Sequence, residues 1–130
     1  MKLDEEKLAP EVRDFLNTYI DSVANLEALL LFKRNPDREW SAKTLSDELR
    51  TNVLWSSKQI AWLYSKSFIS FGSKEDFYKY SAENPEMDEV IQKVSDSYAR
   101  TRLTMISFIC DRLVRVQQFA EAFRIRKDDD

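Results

Sequence analysis

The sequence predicts a mainly α-helical fold with one small β-hairpin. Apolar residues recur at spacings of three and four over most of the 130 residues, which is the period of an amphipathic helix. One glycine and three prolines leave few sites for the tight turns that a many-stranded sheet needs. An aromatic-rich segment on both sides of Gly72 indicates a hairpin. A chain of this length can bury one core, so we expect a single domain spanning residues 1–130.

Residues 10–32 are predicted to form one N-terminal helix or two. Pro10 is favoured at the first position of a helix, and apolar residues follow it at helical spacing. If the segment divides, Ser22 is suited to cap the second helix, because its hydroxyl can accept a hydrogen bond from a first-turn N–H. Pro36 then ends this layer, since the residue before a proline is disfavoured in the α conformation.

Residues 40–80 are predicted to form two helices followed by the hairpin. Residues 38–40 suit a very short strand, and Ser41 is a good cap for a short helix that ends near Leu49. A polar turn leads to a second helix at about residues 53–66. Its inner arc is expected to carry Val53, Ile60, Leu63 and Tyr64, and its outward arc Trp55, Lys58, Gln59, Trp62 and Lys66.

Residues 85–126 keep helical spacing and are predicted to form a long C-terminal helical segment, with residues 127–130 as an acidic tail. From Leu103 to Cys110 the segment is apolar nearly all round, which favours burial on several sides by a partner subunit. We therefore expect a homodimer. Its interface is predicted to include Phe15, Tyr98, Ile106, Ile109, Leu113, Val116, Phe119 and Phe123.

Several short motifs between Ser22 and Tyr80 have the order found in a known fold. These are Leu26-Glu27-Ala28-Leu29-Leu30, Trp40-Ser41-Ala42, Leu49, Ile60-Ala61-Trp62-Leu63 and Phe68-Ile69. With them the chain resembles the winged helix-turn-helix transcription regulators, in architecture the dimeric bacterial regulators of the multiple-antibiotic-resistance type. A glycine commonly precedes the first wing strand in those regulators, and Ser67 stands there in this chain. The ending from Phe119 to Arg126 is similar to that of small uncharacterised bacterial winged-helix proteins, which implies no established activity.

The resemblance implies that the second helix enters the major groove of DNA and that the hairpin touches the flanking backbone. Side chains expected to face bases are Asn52, Ser57, Lys58 and Gln59, and those expected to contact phosphates are Lys43, Lys66, Lys74 and Lys79. Residues 38–80 carry seven basic and five acidic side chains, a balance of +2, against −3 for the whole chain. So small a basic excess predicts weak binding that falls with salt.

A protein-docking function is the alternative. Two tryptophans on an exposed arc, Trp55 and Trp62, would be typical anchors of a protein interface, and the net charge of −3 does not favour nucleic acid. On this interpretation the domain is an adaptor with little or no DNA binding. Packing of at least one of the two tryptophans against the rest of the domain also remains open.

Enzyme chemistry, cofactors and metals are not expected. The chain has no histidine and one cysteine, so the usual zinc ligands are missing and Ser56 and Ser57 have no evident base. The N-terminus is acidic where a secretory signal would be cationic, and no apolar run is long enough to span a membrane. We expect a cytoplasmic protein without a membrane partner.

Overall fold

The computed structural model describes residues 8–111, which are mainly helical with one two-stranded antiparallel hairpin. This confirms the predicted class at that level. The elements are α1 (Pro10–Tyr19), α2 (Val23–Arg34), α3 (Ala42–Leu49), α4 (Val53–Ser65), β1 (Ile69–Phe71), β2 (Tyr78–Tyr80) and α5 (Pro85–Arg100), and residues 102–111 are again helical (α6). The N-terminal segment is therefore two helices, which meet at residues 20–22.

Local side-chain caps fix where four of these helices begin. In each, the residue before the helix accepts a hydrogen bond from the backbone N–H three residues later. The caps are Ser22, Ser41, Asn52 and Asn84, at 3.0, 3.2, 2.7 and 2.8 Å. Such a cap is worth about 1 kcal/mol, so short polar residues at these positions set the helix boundaries from within the sequence.

The hairpin is joined to the segment before α3. The strands pair with Ile69 opposite Tyr80 and Phe71 opposite Tyr78. Trp40 forms an isolated bridge to Tyr78, with backbone hydrogen bonds of 2.7 and 2.8 Å. Trp40 is fully buried. The short strand predicted at residues 38–40 is thus reduced to one bridge, which ties the hairpin to the start of the helix pair.

A polar cluster holds the hairpin against two helices. The Lys33 ammonium of α2 lies 2.9 Å from the Asp88 carboxylate of α5, and the Tyr80 hydroxyl of β2 donates to the same carboxylate at 2.6 Å. The bond from Tyr80, with help from Lys33, lowers the pKa of Asp88. Burial, with the neighbouring carboxylate, raises the pKa of Tyr80. The three side chains therefore fix β2 relative to α2 and α5.

The C-terminal segment is interrupted within its described part. α5 ends at Arg100, and the backbone N–H and hydroxyl of the next residue, Thr101, both donate to the Ser97 carbonyl, at 2.7 and 2.8 Å. A threonine bonded back to the preceding turn competes with regular helix geometry, and the chain restarts as α6. Apolar spacing alone could not reveal this break. Residues 112–126 of the predicted segment lie outside the described residues.

The residues predicted for dimerisation fall into two groups. Phe15, Tyr98 and Ile109 are buried within one chain, and Ile106 is half-buried against the same core. Leu103 of α6 is 79% exposed. The remaining predicted interface residues, Leu113, Val116, Phe119 and Phe123, lie outside the described residues.

Candidate nucleic-acid interface

The outer face of α4 is the most prominent exposed stripe of the helix pair. Leu54, Ser57, Lys58, Ala61 and Tyr64 are all exposed and follow one another at helical spacing, so they share one side of the helix. Leu54 is 67% exposed and Tyr64 is 44% exposed. We call these five residues the outer face of α4. It combines one cation and two hydroxyl groups, those of Ser57 and Tyr64, with an unusual amount of apolar surface.

This face differs from the predicted outward arc, because α4 is rotated by about one residue. Trp55, Gln59 and Trp62 were predicted to face outward but are half-buried. The Gln59 side-chain oxygen accepts a 2.6 Å hydrogen bond from the Asn25 amide of α2. The Trp62 ring packs edge-on against Phe68, with 5.9 Å between ring centroids. Neither Gln59 nor the two tryptophans is presented to solvent as the prediction required.

The reason lies in the composition of α4. Ile60 and Leu63 are in the core as predicted, but Val53 and Tyr64, also placed inside, are exposed. Ser56 is fully buried instead. Apolar residues occur on every side of this helix, so their spacing selects no single inward direction. The spacing of Leu54, Lys58 and Ala61 was a signal for the true outer face, but Leu54 and Ala61 are themselves apolar.

A groove separates the outer face of α4 from the hairpin loop. It has a volume of about 400 Å³, and its polar lining comprises Ser41, Lys43, Ser57, Asp76 and Tyr78. Lys43 also pairs with Asp47 at 2.9 Å, an exposed contact one helical turn away that is worth little. The groove therefore offers hydroxyl groups and one ammonium to a ligand, opposed by one carboxylate.

The other predicted contact residues lie on the helix pair and on the hairpin. Lys58, Lys66, Lys74 and Lys79 are exposed, as is Lys43. Asn52 is exposed too, but its side-chain oxygen is occupied in capping α4. These positions leave the ammonium groups accessible at the second helix and along the hairpin. Among the residues predicted to face bases, Ser57 and Lys58 are the two on the outer face.

A carboxylate clamp shapes the hairpin loop. The Glu39 carboxylate accepts hydrogen bonds from the Ser73 backbone N–H at 2.8 Å and from the Ser73 hydroxyl at 2.9 and 3.1 Å. These bonds lower the pKa of Glu39. A Cβ added to Gly72 would lie 2.6 Å from Glu39 Cδ, so a larger residue would push the carboxylate away. The chain's glycine thus stands where the clamp needs close approach.

Sequence reasoning missed an exposed aromatic cluster beside the outer face. Phe71 of β1 is 64% exposed and lies 5.0 Å from Tyr64 and 5.4 Å from Tyr78, measured between ring centroids. Phe71 was predicted only as part of a strand.

Comparison with known protein families, curated proteins and solved structures found no match for this chain. Within residues 8–111, no helix is long and apolar enough to cross a bilayer. The same part of the chain contains no group of three or more metal-ligating side chains.

Proposed function

We propose that residues 40–80 form a winged helix-turn-helix and that the protein is a DNA-binding transcription regulator. The observation that carries the proposal is the outer face of α4. It presents Ser57 and Lys58 on the second helix of a pair, with a hairpin and an open groove beside it. This is the arrangement in which a recognition helix enters the major groove and a hairpin reaches the flanking backbone.

The outer face has chemistry suited to base edges. Lys58 can donate to guanine, and the Ser57 hydroxyl can pair with several bases. Leu54 and Ala61 offer apolar contacts to thymine methyl groups. Gln59 is no longer assigned to a base, because its oxygen is bonded to Asn25. On this proposal a short site is read by polar and apolar contacts together, and Lys58 is the one cation among them.

Phosphate contacts would come from four exposed lysines of the helix pair and the hairpin. Those assigned to the backbone are Lys43, Lys66, Lys74 and Lys79. Each neutralised phosphate releases counterions and contributes about −0.9 to the slope of log K against log salt. Asp76 in the groove lining opposes an anionic ligand. We therefore expect modest affinity with a strong dependence on salt.

We also propose that the regulator is a homodimer. Leu103 leaves a large apolar side chain on the surface of α6, and the sequence continues with apolar residues at helical spacing after residue 111. Two copies related by a two-fold axis would read a palindromic site. Sedimentation at micromolar concentration tests this part alone, and a stable monomer would overturn it.

Selection from random and genomic duplex fragments tests DNA binding. The wild-type protein should enrich one palindromic site, and Lys58→Glu should lose that enrichment. The control is Lys93→Glu, which reverses the charge of an exposed lysine on α5 that pairs with Glu11. Retained enrichment in Lys58→Glu would show that the outer face of α4 does not read DNA.

A protein-docking function is the second candidate, and it now depends on other residues than the tryptophans. Among residues 8–111, four of the five large apolar side chains that are exposed lie on α4 or β1; they are Val53, Leu54, Tyr64 and Phe71. Such clustering is typical of a protein interface. If the protein binds no DNA duplex, and if Leu54→Ser and Phe71→Ser each abolish its function in the cell, protein docking replaces DNA binding as the proposed function.

A further inference from the structure

A second cleft lies between α2 and the turn that leads into α4. It has a volume of about 210 Å³ and is lined by Ala24, Glu27, Leu49, Thr51 and Trp55. Pockets for drug-sized ligands start at roughly 300 Å³, so this cleft fits a single side chain or a small molecule. None of its lining residues belongs to the outer face of α4. A ligand in this cleft would therefore be bound at a place separate from the proposed DNA surface.

Glu27 gives the cleft its charge. It is the one ionisable residue in the lining, and its side chain is half-buried. In the described part of the chain no cation pairs with it and no donor bonds to it, including Arg50 beside Thr51. A carboxylate that lines a cleft and has no cationic partner favours a cationic ligand.

Trp55 gives the cleft an aromatic wall. The indole is half-buried, and its residue is fixed at the start of α4 because its backbone N–H donates to Asn52 at 2.7 Å. Indole is the best aromatic side chain for contact with a cation. Leu49 and Ala24 add apolar surface that suits the methylene groups of an alkyl chain.

We propose that this cleft binds an alkylammonium group, with the cation between the Glu27 carboxylate and the Trp55 indole. A lysine side chain of a partner protein and a free aliphatic amine share this chemistry. In both, the alkyl chain would lie along Leu49, and the carboxylate would regain the charged partner that it lacks among residues 8–111.

The test is an NMR titration of the ¹⁵N-labelled full chain at constant ionic strength. Three indole N–H signals are expected, from Trp40, Trp55 and Trp62, and Trp55→Phe identifies the one in the cleft. Butylammonium is compared with 1-butanol, which has similar length but no charge. We expect butylammonium to shift the Trp55 signal saturably, while the signal of buried Trp40 stays nearly constant.

Two matched variants separate the carboxylate from general charge. Glu27→Gln should weaken butylammonium binding about tenfold and leave the response to 1-butanol unchanged. Glu48→Gln makes the same substitution at an exposed position of α3 and should change neither. A thermal melt shows whether Glu27→Gln remains folded. If Glu27→Gln does not fold, the proposal is tested by the comparison of butylammonium with 1-butanol on the wild-type chain alone.

A further arm distinguishes the source of the amine. Nα-acetyl-lysine methylamide should bind at least as tightly as butylammonium if the cleft accepts a lysine side chain, and more weakly if it accepts only a free amine. The proposal is overturned if 1-butanol shifts the Trp55 signal as much as butylammonium does. It is also overturned if folded Glu27→Gln binds the cation unchanged, or if no saturable shift occurs.

Discussion

The Asn25 side-chain amide of α2 donates a 2.6 Å hydrogen bond to the Gln59 oxygen of α4. Asn25 is buried, and its own oxygen accepts from the Asp21 backbone N–H at 3.2 Å. One polar side chain therefore links the loop before α2 to the second helix of the pair. This bond turns Gln59 inward and helps to fix which side of α4 faces solvent.

Removing this link should cost stability. Asn25→Ala leaves the oxygen of half-buried Gln59 without its donor, and we expect the free energy of unfolding to fall by about 1–2 kcal/mol. Urea denaturation measures the change, and a double-mutant cycle with Gln59→Ala isolates the pairwise coupling. Additive effects of the two substitutions would show that the bond contributes nothing.

Trp62 and Leu54 should differ sharply in their effect on stability. Trp62 packs against Phe68 and the core, so Trp62→Ala is expected to lower the free energy of unfolding by about 2 kcal/mol or more. Leu54 is 67% exposed, and Leu54→Ala should change it by less than about 0.5 kcal/mol. Denaturant titrations of both variants provide the measurement. If Trp62→Ala leaves the free energy of unfolding unchanged, the face formed by Trp55 and Trp62 becomes a candidate docking surface again.

Replacing Ser67 by glycine should increase the stability of the fold. Its φ of 62° lies in the left-handed region, which costs a non-glycine residue roughly 1 kcal/mol. Ser67→Gly is therefore expected to raise the free energy of unfolding by about 0.5 kcal/mol, after the greater chain entropy of glycine is subtracted. Ser57→Gly, inside α4, should lower it instead. A lower stability of Ser67→Gly would contradict this account.

The clamp on the hairpin loop should open in acid. Ser73 lowers the pKa of Glu39 from its ordinary value of 4.5, so the clamp is fully formed above that value. It is lost as the pH falls through the lowered pKa of the folded state. The Ser73 amide signal in NMR should titrate with a midpoint below 4.5 in the wild type. That titration should vanish in Glu39→Gln. A midpoint at or above the ordinary value would show that the carboxylate is not engaged.

The helix boundaries and the hairpin were accessible from sequence because local chemistry sets them. Ser22 and Ser41 cap helices as expected, and the aromatic strands pair around the loop after Gly72. Ser67, just before the hairpin, adopts the left-handed conformation that glycine favours.

The outer face of α4 was less predictable, because it depends on contacts between distant segments. The sequence predicts Gln59 as a base-reading side chain, but its oxygen is bonded to Asn25, 34 residues away in sequence. The fully buried Ser56 carries no hydrophobic signal that would mark the inner side. Similarly, the break at Thr101 interrupts an otherwise regular apolar pattern, at a residue whose hydroxyl bonds back to the Ser97 carbonyl.

The salt dependence of DNA binding tests the central proposal most directly. Affinity for the enriched duplex is measured by fluorescence anisotropy over a range of salt, for wild type, Lys66→Ala and Lys58→Ala. We predict a steep wild-type slope that falls by about one for Lys66→Ala, and a loss of about 1–3 kcal/mol with relaxed specificity for Lys58→Ala. Binding that is absent at low salt, or unchanged in both variants, would contradict the account.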